Sequence, residues 1–168
     1  QLLEPRAPLS APTHIQVQDL ADALEAARHG FYELKMKVGV SDQWPSELME
    51  VARIRALLPQ VSLRLDVNRG WDHNQARGAL ITAMAYEVEW VEEPCQTLSM
   101  YADLPPQKVP IGLDESLSMP QAPPLAELLE LTHASVLTLK PMAVGGILRT
   151  ARLALEADSH GVDVCVTH

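Results

Sequence analysis

The sequence predicts an α/β fold, part of a (β/α)8 TIM-type barrel, on three observations. Short apolar segments alternate with stretches of helical periodicity, charges occupy one parity of those segments, and they gather at the segments' C-terminal ends. Alternation alone means a parallel sheet of right-handed βαβ units, here about six repeats of roughly 20 to 30 residues. An open doubly wound sheet would satisfy it equally, and parity favours the barrel. In LKMKV, Leu34, Met36 and Val38 share one face while Lys35 and Lys37 take the other. In VSLRLDVN, Arg64, Asp66 and Asn68 oppose Leu63, Leu65 and Val67. Strands covered by helices on both faces read as apolar throughout. A charged face is costly to bury under a helix, but it can line a barrel mouth while the apolar face packs under the outer helices.

The elements follow in order. After a proline-rich opening (Pro5, Pro8, Pro12), Leu20, Leu24 and Ala27 recur at helical spacing and His29-Gly30 stops the helix. Strand YELKMKV comes next, then a helix over about residues 45–58, strand VSLRLDV, a helix over 74–86 and strand VEWVE. A short helix or turn over 99–104 leads to strand VPIGL, a helix over 124–131, strand SVLTLK, a helix over 146–159 and strand VDVCV.

Composition narrows the function. The chain has 168 residues, 47% of them hydrophobic, which suits one globular unit with a sizeable core. A net charge of −9, from 13 Lys+Arg against 22 Asp+Glu, provides no basic stripe for nucleic acid and no polybasic segment for a membrane surface. Cys95 and Cys165 have neither the number nor the spacing of a disulfide framework or zinc site, so reduced thiols and a cytoplasmic location are expected. No apolar run approaches about 18 residues, and the start lacks the order of a secretory signal. It also lacks an initiator Met, so a cut or partial N-terminus is expected.

The chemistry lies in an ordered set of charges. Asp66, Glu92 and Asp114 end three consecutive strands, and closing a barrel would bring them around one point. One acidic strand end is more often a helix cap or a solvated loop residue. Three in succession, flanked by lysines, reverse that reading. An all-oxygen set suits Mg²⁺, with Mn²⁺ as the alternative ion, and Asn68 and Glu93 stand next to the ligands as supporting groups. Lys35 and Lys37 share a face, and Lys140 lies further round the barrel, so lysines flank a substrate on two sides. A bound cation or a neighbouring ammonium disfavours protonation, which lets a lysine act as a base near neutral pH. Lys37, nearer the strand end, is that base; Lys35 supplies electrostatic stabilisation, and Lys140 faces the reacting centre from the opposite side. Gly145-Gly146 either forms a plain turn or presents helix N-terminal N–H groups to a substrate carboxylate. Trp71 and Trp90 read as core, and His14, His29, His73, His133 and His160 as surface residues.

These motifs resemble the enolase superfamily, from about Tyr32 onward. Lysines on both the second and sixth strands resemble its muconate lactonising subgroup, and RLDVNRGW, VEEPCQT, LDESL and LKPMAVGG are most similar to the o-succinylbenzoate synthase family. The resemblance implies Mg²⁺-assisted removal of a proton alpha to a carboxylate through an enediolate. The small carboxylate substrate would be 2-succinyl-6-hydroxy-2,4-cyclohexadiene-1-carboxylate, dehydrated to o-succinylbenzoate in menaquinone synthesis. It implies Asp66, Glu92 and Asp114 as ligands, Lys37 as the residue that removes the proton and returns it to the departing hydroxyl, and Lys140 as the stabilising cation. Isomerases of the same subgroup (N-acylamino-acid racemase, dipeptide epimerase, muconate cycloisomerase) fit the same lysines. A degenerate barrel kept for binding should have lost a ligand or a lysine, and none is lost. Other superfamily members pair a histidine on the seventh strand with an acid on the sixth; Lys140 occupies that acid's place, so His168 reads as lining the pocket and a sugar-acid dehydratase is disfavoured. The resemblance also implies a modified, (β/α)7β-like barrel of which residues 1–168 are a fragment, lacking the capping domain and the last strand. The proline-rich stretch ending in THIQV is a poor first strand. Open strand edges lead to the expectation of missing neighbouring segments or of association between copies.

Overall fold

The computed structural model describes residues 14–40, 43–104 and 109–167. Among these residues, seven strands form one parallel sheet in sequential order: β1 (Ile15–Val17), β2 (Glu33–Lys37), β3 (Ser62–Asp66), β4 (Trp90–Glu92), β5 (Ile111–Leu113), β6 (Val136–Leu139) and β7 (Asp163–Val166). Six helices accompany them: α1 (Leu20–Arg28), α2 (Trp44–Leu57), α3 (His73–Ala85), α4 (Leu125–Thr132), α5 (Pro141–Val144) and α6 (Ile147–Ser159). Between β4 and β5 runs a 3-10 segment, Leu98–Asp103. The sheet curls into a partial barrel, so that Cys165 on β7 feels the charges of Lys35, Arg64 and Glu92 on β2, β3 and β4. A regular first strand does form, contrary to the expectation for THIQV, because Ile15, Gln16 and Val17 take up the parallel ladder of β2.

Local chemistry starts and stops the helices. Asp19 caps α1 by accepting the Asp22 N–H, and Asp72 with Gln75 forms a reciprocal capping box on α3. Pro45 stands in the first turn of α2, where its missing N–H costs nothing. Helix α4 ends in a left-handed residue, His133, at φ 52°. On α1 the buried residues are Ala23 and Ala26, while Leu20, Leu24 and Ala27 pack at the margin. Helix α5 went unpredicted because one turn after Lys140-Pro141 is too short to carry a periodic pattern.

Parity behaves as the sequence predicts. Leu34, Leu63, Leu65, Leu113, Leu137 and Leu139 face the helices and are fully buried, and the core lies in this outer layer. The inner face is polar. Low in the barrel the Arg64 guanidinium lies 4.0 Å from the centre of the Trp90 ring, pairs with Glu89 at 2.8 Å and Glu33 at 3.6 Å, and meets His14 Nδ1 at 3.3 Å. His14 is therefore half-buried rather than freely exposed at the surface. Burial, and then the nearby Lys35 and Arg64 charges, hold its imidazole below the usual histidine value. His29, His133 and His160 are exposed, as expected, and Trp71 and Trp90 are buried.

Candidate active site at the barrel mouth

Strand register assembles the site. Lys37 is opposite Asp66, Asp66 opposite Glu92 and Glu92 opposite Gly112, which leaves Asp114 just past the end of β5 and Lys140 just past the end of β6. All five charges stand at the C-terminal rim, where the βα connections of a parallel barrel build active sites. Lys35, one inward position below Lys37, is 8% exposed and sits between two acids, 2.8 Å from Glu92 and 3.0 Å from Asp66. Lys140 forms an ion pair with Asp114. Burial disfavours the Lys35 charge, but the Glu92 and Asp66 carboxylates outweigh it and hold the ammonium above the usual lysine value. Burial likewise works against Lys140, and the Asp114 carboxylate prevails. Neither lysine is lowered towards neutrality. Lys37 differs from both: its side chain is exposed and has no hydrogen bond or ion pair among the described residues.

Glu92 is 1% exposed, with Oε1 on Lys35 and Oε2 accepting from the Thr138 hydroxyl at 2.8 Å. Burial pushes its carboxyl above the usual carboxylate range, against the Lys35 charge and with the help of Asp66. Glu93, fully buried and in the left-handed region at φ 45°, turns the other way. Its carboxylate accepts the Asp114 N–H, the Ser116 N–H and the Ser116 hydroxyl, each at 2.8 Å, and so fixes the loop that carries Asp114. Asn68 donates to Glu115 at 2.7 Å, and its own N–H reaches Asp66 at 3.2 Å. Thr138, Ser116 and Glu115 were missed in the sequence. Inward parity with Lys140 marks Thr138, and adjacency to Asp114 marks the other two.

No three acidic, histidine or cysteine side chains among the described residues stand close enough together to hold a metal ion. The donor chemistry nonetheless suits a hard divalent cation. Three carboxylates face two ammonium groups, every donor is oxygen, and each oxygen keeps a second lone pair beside its present bond. Gly145 and Gly146 lie between α5 and α6 at φ 101° and 103°, with the start of α6 uncapped by any side chain. His168 lies outside the described residues.

Seven parallel strands with acids and lysines at their C-terminal rim define a class, and the family model "Enolase C-terminal domain-like" matches residues 17–168: the chain belongs to that family. It is 34% identical over 125 residues to o-succinylbenzoate synthase of Thermobifida fusca, covering 71% of this chain and 39% of that protein. It is 29% identical over 149 residues to L-Ala-D/L-Glu epimerase of Clostridium acetobutylicum, covering 84% and 40%. Among solved structures, an enolase from Bradyrhizobium complexed with magnesium and mandelic acid superposes with a TM-score of 0.78 at 27% identity, covering 94% of this chain and 46% of that one. The chain thus spans about two fifths of the length of these two curated relatives. Among the described residues, no helix is long and apolar enough to cross a membrane.

Proposed function

We propose that the barrel mouth binds Mg²⁺ through Asp66, Glu92 and Asp114 and removes a proton alpha to the carboxylate of a small substrate, most specifically in the dehydration that yields o-succinylbenzoate. The observation that carries this reading is the contrast among the lysines: Lys35 and Lys140 are engaged by the acids, while Lys37, in register with Asp66, is unengaged at the rim. The cation, when bound, offsets the charge of the three carboxylates and of the substrate's own carboxylate.

Lys37, in its neutral form, takes the alpha proton on Nζ. As the bond to the hydroxyl breaks, it returns that proton to the departing oxygen, and water leaves. Lys140, on the other side of the mouth, faces the negative charge that builds as the proton is lost. Thr138 and Glu93 keep Glu92 and the Asp114 loop in place. The epimerase relative supports a second reading: of two lysines on opposite sides of one carbon, a neutral one removes the proton from one face and a protonated one delivers its own proton to the other. The higher identity to o-succinylbenzoate synthase supports the first reading.

The test supplies the cyclohexadiene substrate and, separately, N-succinyl amino acids and dipeptides, in deuterium oxide with Mg²⁺ and then with chelator. Formation of o-succinylbenzoate that stops with chelator and resumes with Mg²⁺ is expected. Lys37→Ala and Lys140→Ala should each lower turnover by about 10²- to 10⁴-fold. Turnover indifferent to chelator, or alpha-deuterium exchange that survives Lys37→Ala, overturns the reading.

A further inference from the structure

Two acceptor atoms at the barrel mouth lack a donor. Asn68 Oδ1 and Glu115 Oε2 are buried and receive no hydrogen bond among the described residues. Buried oxygens of this kind are nearly always satisfied, so a pair of them beside a row of functional charges calls for a donor. The pair is firmly built. Asn68 Nδ2 donates to Glu115 Oε1 at 2.7 Å, which aligns the two side chains and leaves one acceptor on each. The Asn68 N–H holds Asp66 Oδ1 from a left-handed residue at φ 46°. Glu115 directly follows Asp114 and opens the 3-10 turn Glu115–Leu117, which Glu93 anchors through the N–H groups on either side of Glu115. One end of the pair thus rests on Asp66 and the other adjoins Asp114.

We propose that Glu115 is a positioning residue: with Asn68 it offers two hydrogen-bond acceptors to the water molecules of a divalent cation at Asp66, Glu92 and Asp114. This rests on the functional reading above and deepens it. Mg²⁺ dehydrates reluctantly and keeps several waters, and each such water is a strong donor, the complement of two unpaired acceptors. The rival donor is the Lys140 ammonium, which feels the Glu115 carboxylate as well as Asp114. In that case the acceptors would matter to that lysine and not to the ion.

Mn²⁺ binding by the purified protein, followed by calorimetry and by the electron paramagnetic resonance of free Mn²⁺, separates these without any turnover assay. The variants are Glu115→Gln, Asn68→Ala and, as a control for loss of one negative charge, Glu156→Gln on the exposed side of α6. Glutamine at 115 keeps an oxygen for the Asn68 amide but replaces the second acceptor by a donor. Binding about 10- to 100-fold weaker is expected for Glu115→Gln and Asn68→Ala, as for other groups that orient a metal's surroundings. Glu156→Gln should bind as the parent does. If Glu115→Gln loses its cooperative thermal transition, Asn68→Ala decides alone. Unchanged affinity in a folded variant overturns the inference and leaves the proposed function standing. Absence of Mn²⁺ binding in the parent overturns the reading beneath both.

Discussion

Among single residues, those with one outcome written into their surroundings are the most predictable. Cys95 is fully buried beside Glu93, and burial, then that carboxylate, push its thiol up to about 12. A buried thiol that stays protonated is inert, so iodoacetamide at about pH 8 should label Cys95 only after unfolding. Cys165, half-buried on β7, reports separately. Rapid labelling of Cys95 in the folded protein, read by peptide mass spectrometry, contradicts this. The linkage has a definite sign. From the ordinary thiol value of 9.0 up to about 12, the native state keeps a proton that the unfolded chain releases. This contribution to stability therefore falls as pH rises through that window, which a urea titration series reads directly. At this scale the site's charges could be picked out in the sequence because each is a polar residue on an otherwise apolar strand. The partners could not. Nothing in VEEP says that Glu92 turns to Lys35 and Thr138 while Glu93 turns to Ser116, because that choice follows from a left-handed φ at Glu93.

Among the elements, the βα turns set the precision of the rim. Gly70 leads from β3 towards α3, and a Cβ there would come within 2.2 Å of the Gly39 carbonyl oxygen in the turn after β2. The two turns carry the chain just past Asp66 and Lys37, so their close approach sets the separation of the proposed ligand and the proposed base. Gly70→Ala cannot be relieved by a flexible side chain, since the obstacle is backbone. A loss of about 3 kcal/mol is expected, at the upper end for overpacking, and equilibrium unfolding would measure it. Wild-type stability would mean that the turns yield without cost. The elements themselves were largely legible. Helices expected over 45–58 and 74–86 appear as Trp44–Leu57 and His73–Ala85, since caps and periodicity are local signals. Strand β1 was misjudged because the prolines before it argued against regular structure, whereas its pairing with β2 is a tertiary effect. Helix α5 and the turn after Asp114 escaped because each is about one turn long.

For the whole molecule, the barrel interior joins a structural floor to a chemical rim. Arg64 binds the floor together, stacked on Trp90 of β4 and paired with Glu33 on β2 and with Glu89, just ahead of β4. Arg64→Met would fill the volume but leave both acids without their cation. Because Glu33 and Glu89 are partly exposed and can rehydrate, the expected loss is about 2 kcal/mol rather than the larger cost of a fully buried broken pair. Urea unfolding checks the magnitude; an increase in stability would place Arg64 among buried ions better replaced by apolar groups. The sequence by itself determined the parallel α/β architecture and which face of each strand is charged, since period-2 alternation and helical periodicity are properties of neighbouring residues. Which acid meets which lysine, the partial burial of His14, and the unpaired oxygens of Asn68 and Glu115 were decided by the tertiary structure alone. Those contacts join residues dozens of positions apart, and the register and curl of the whole sheet bring them together.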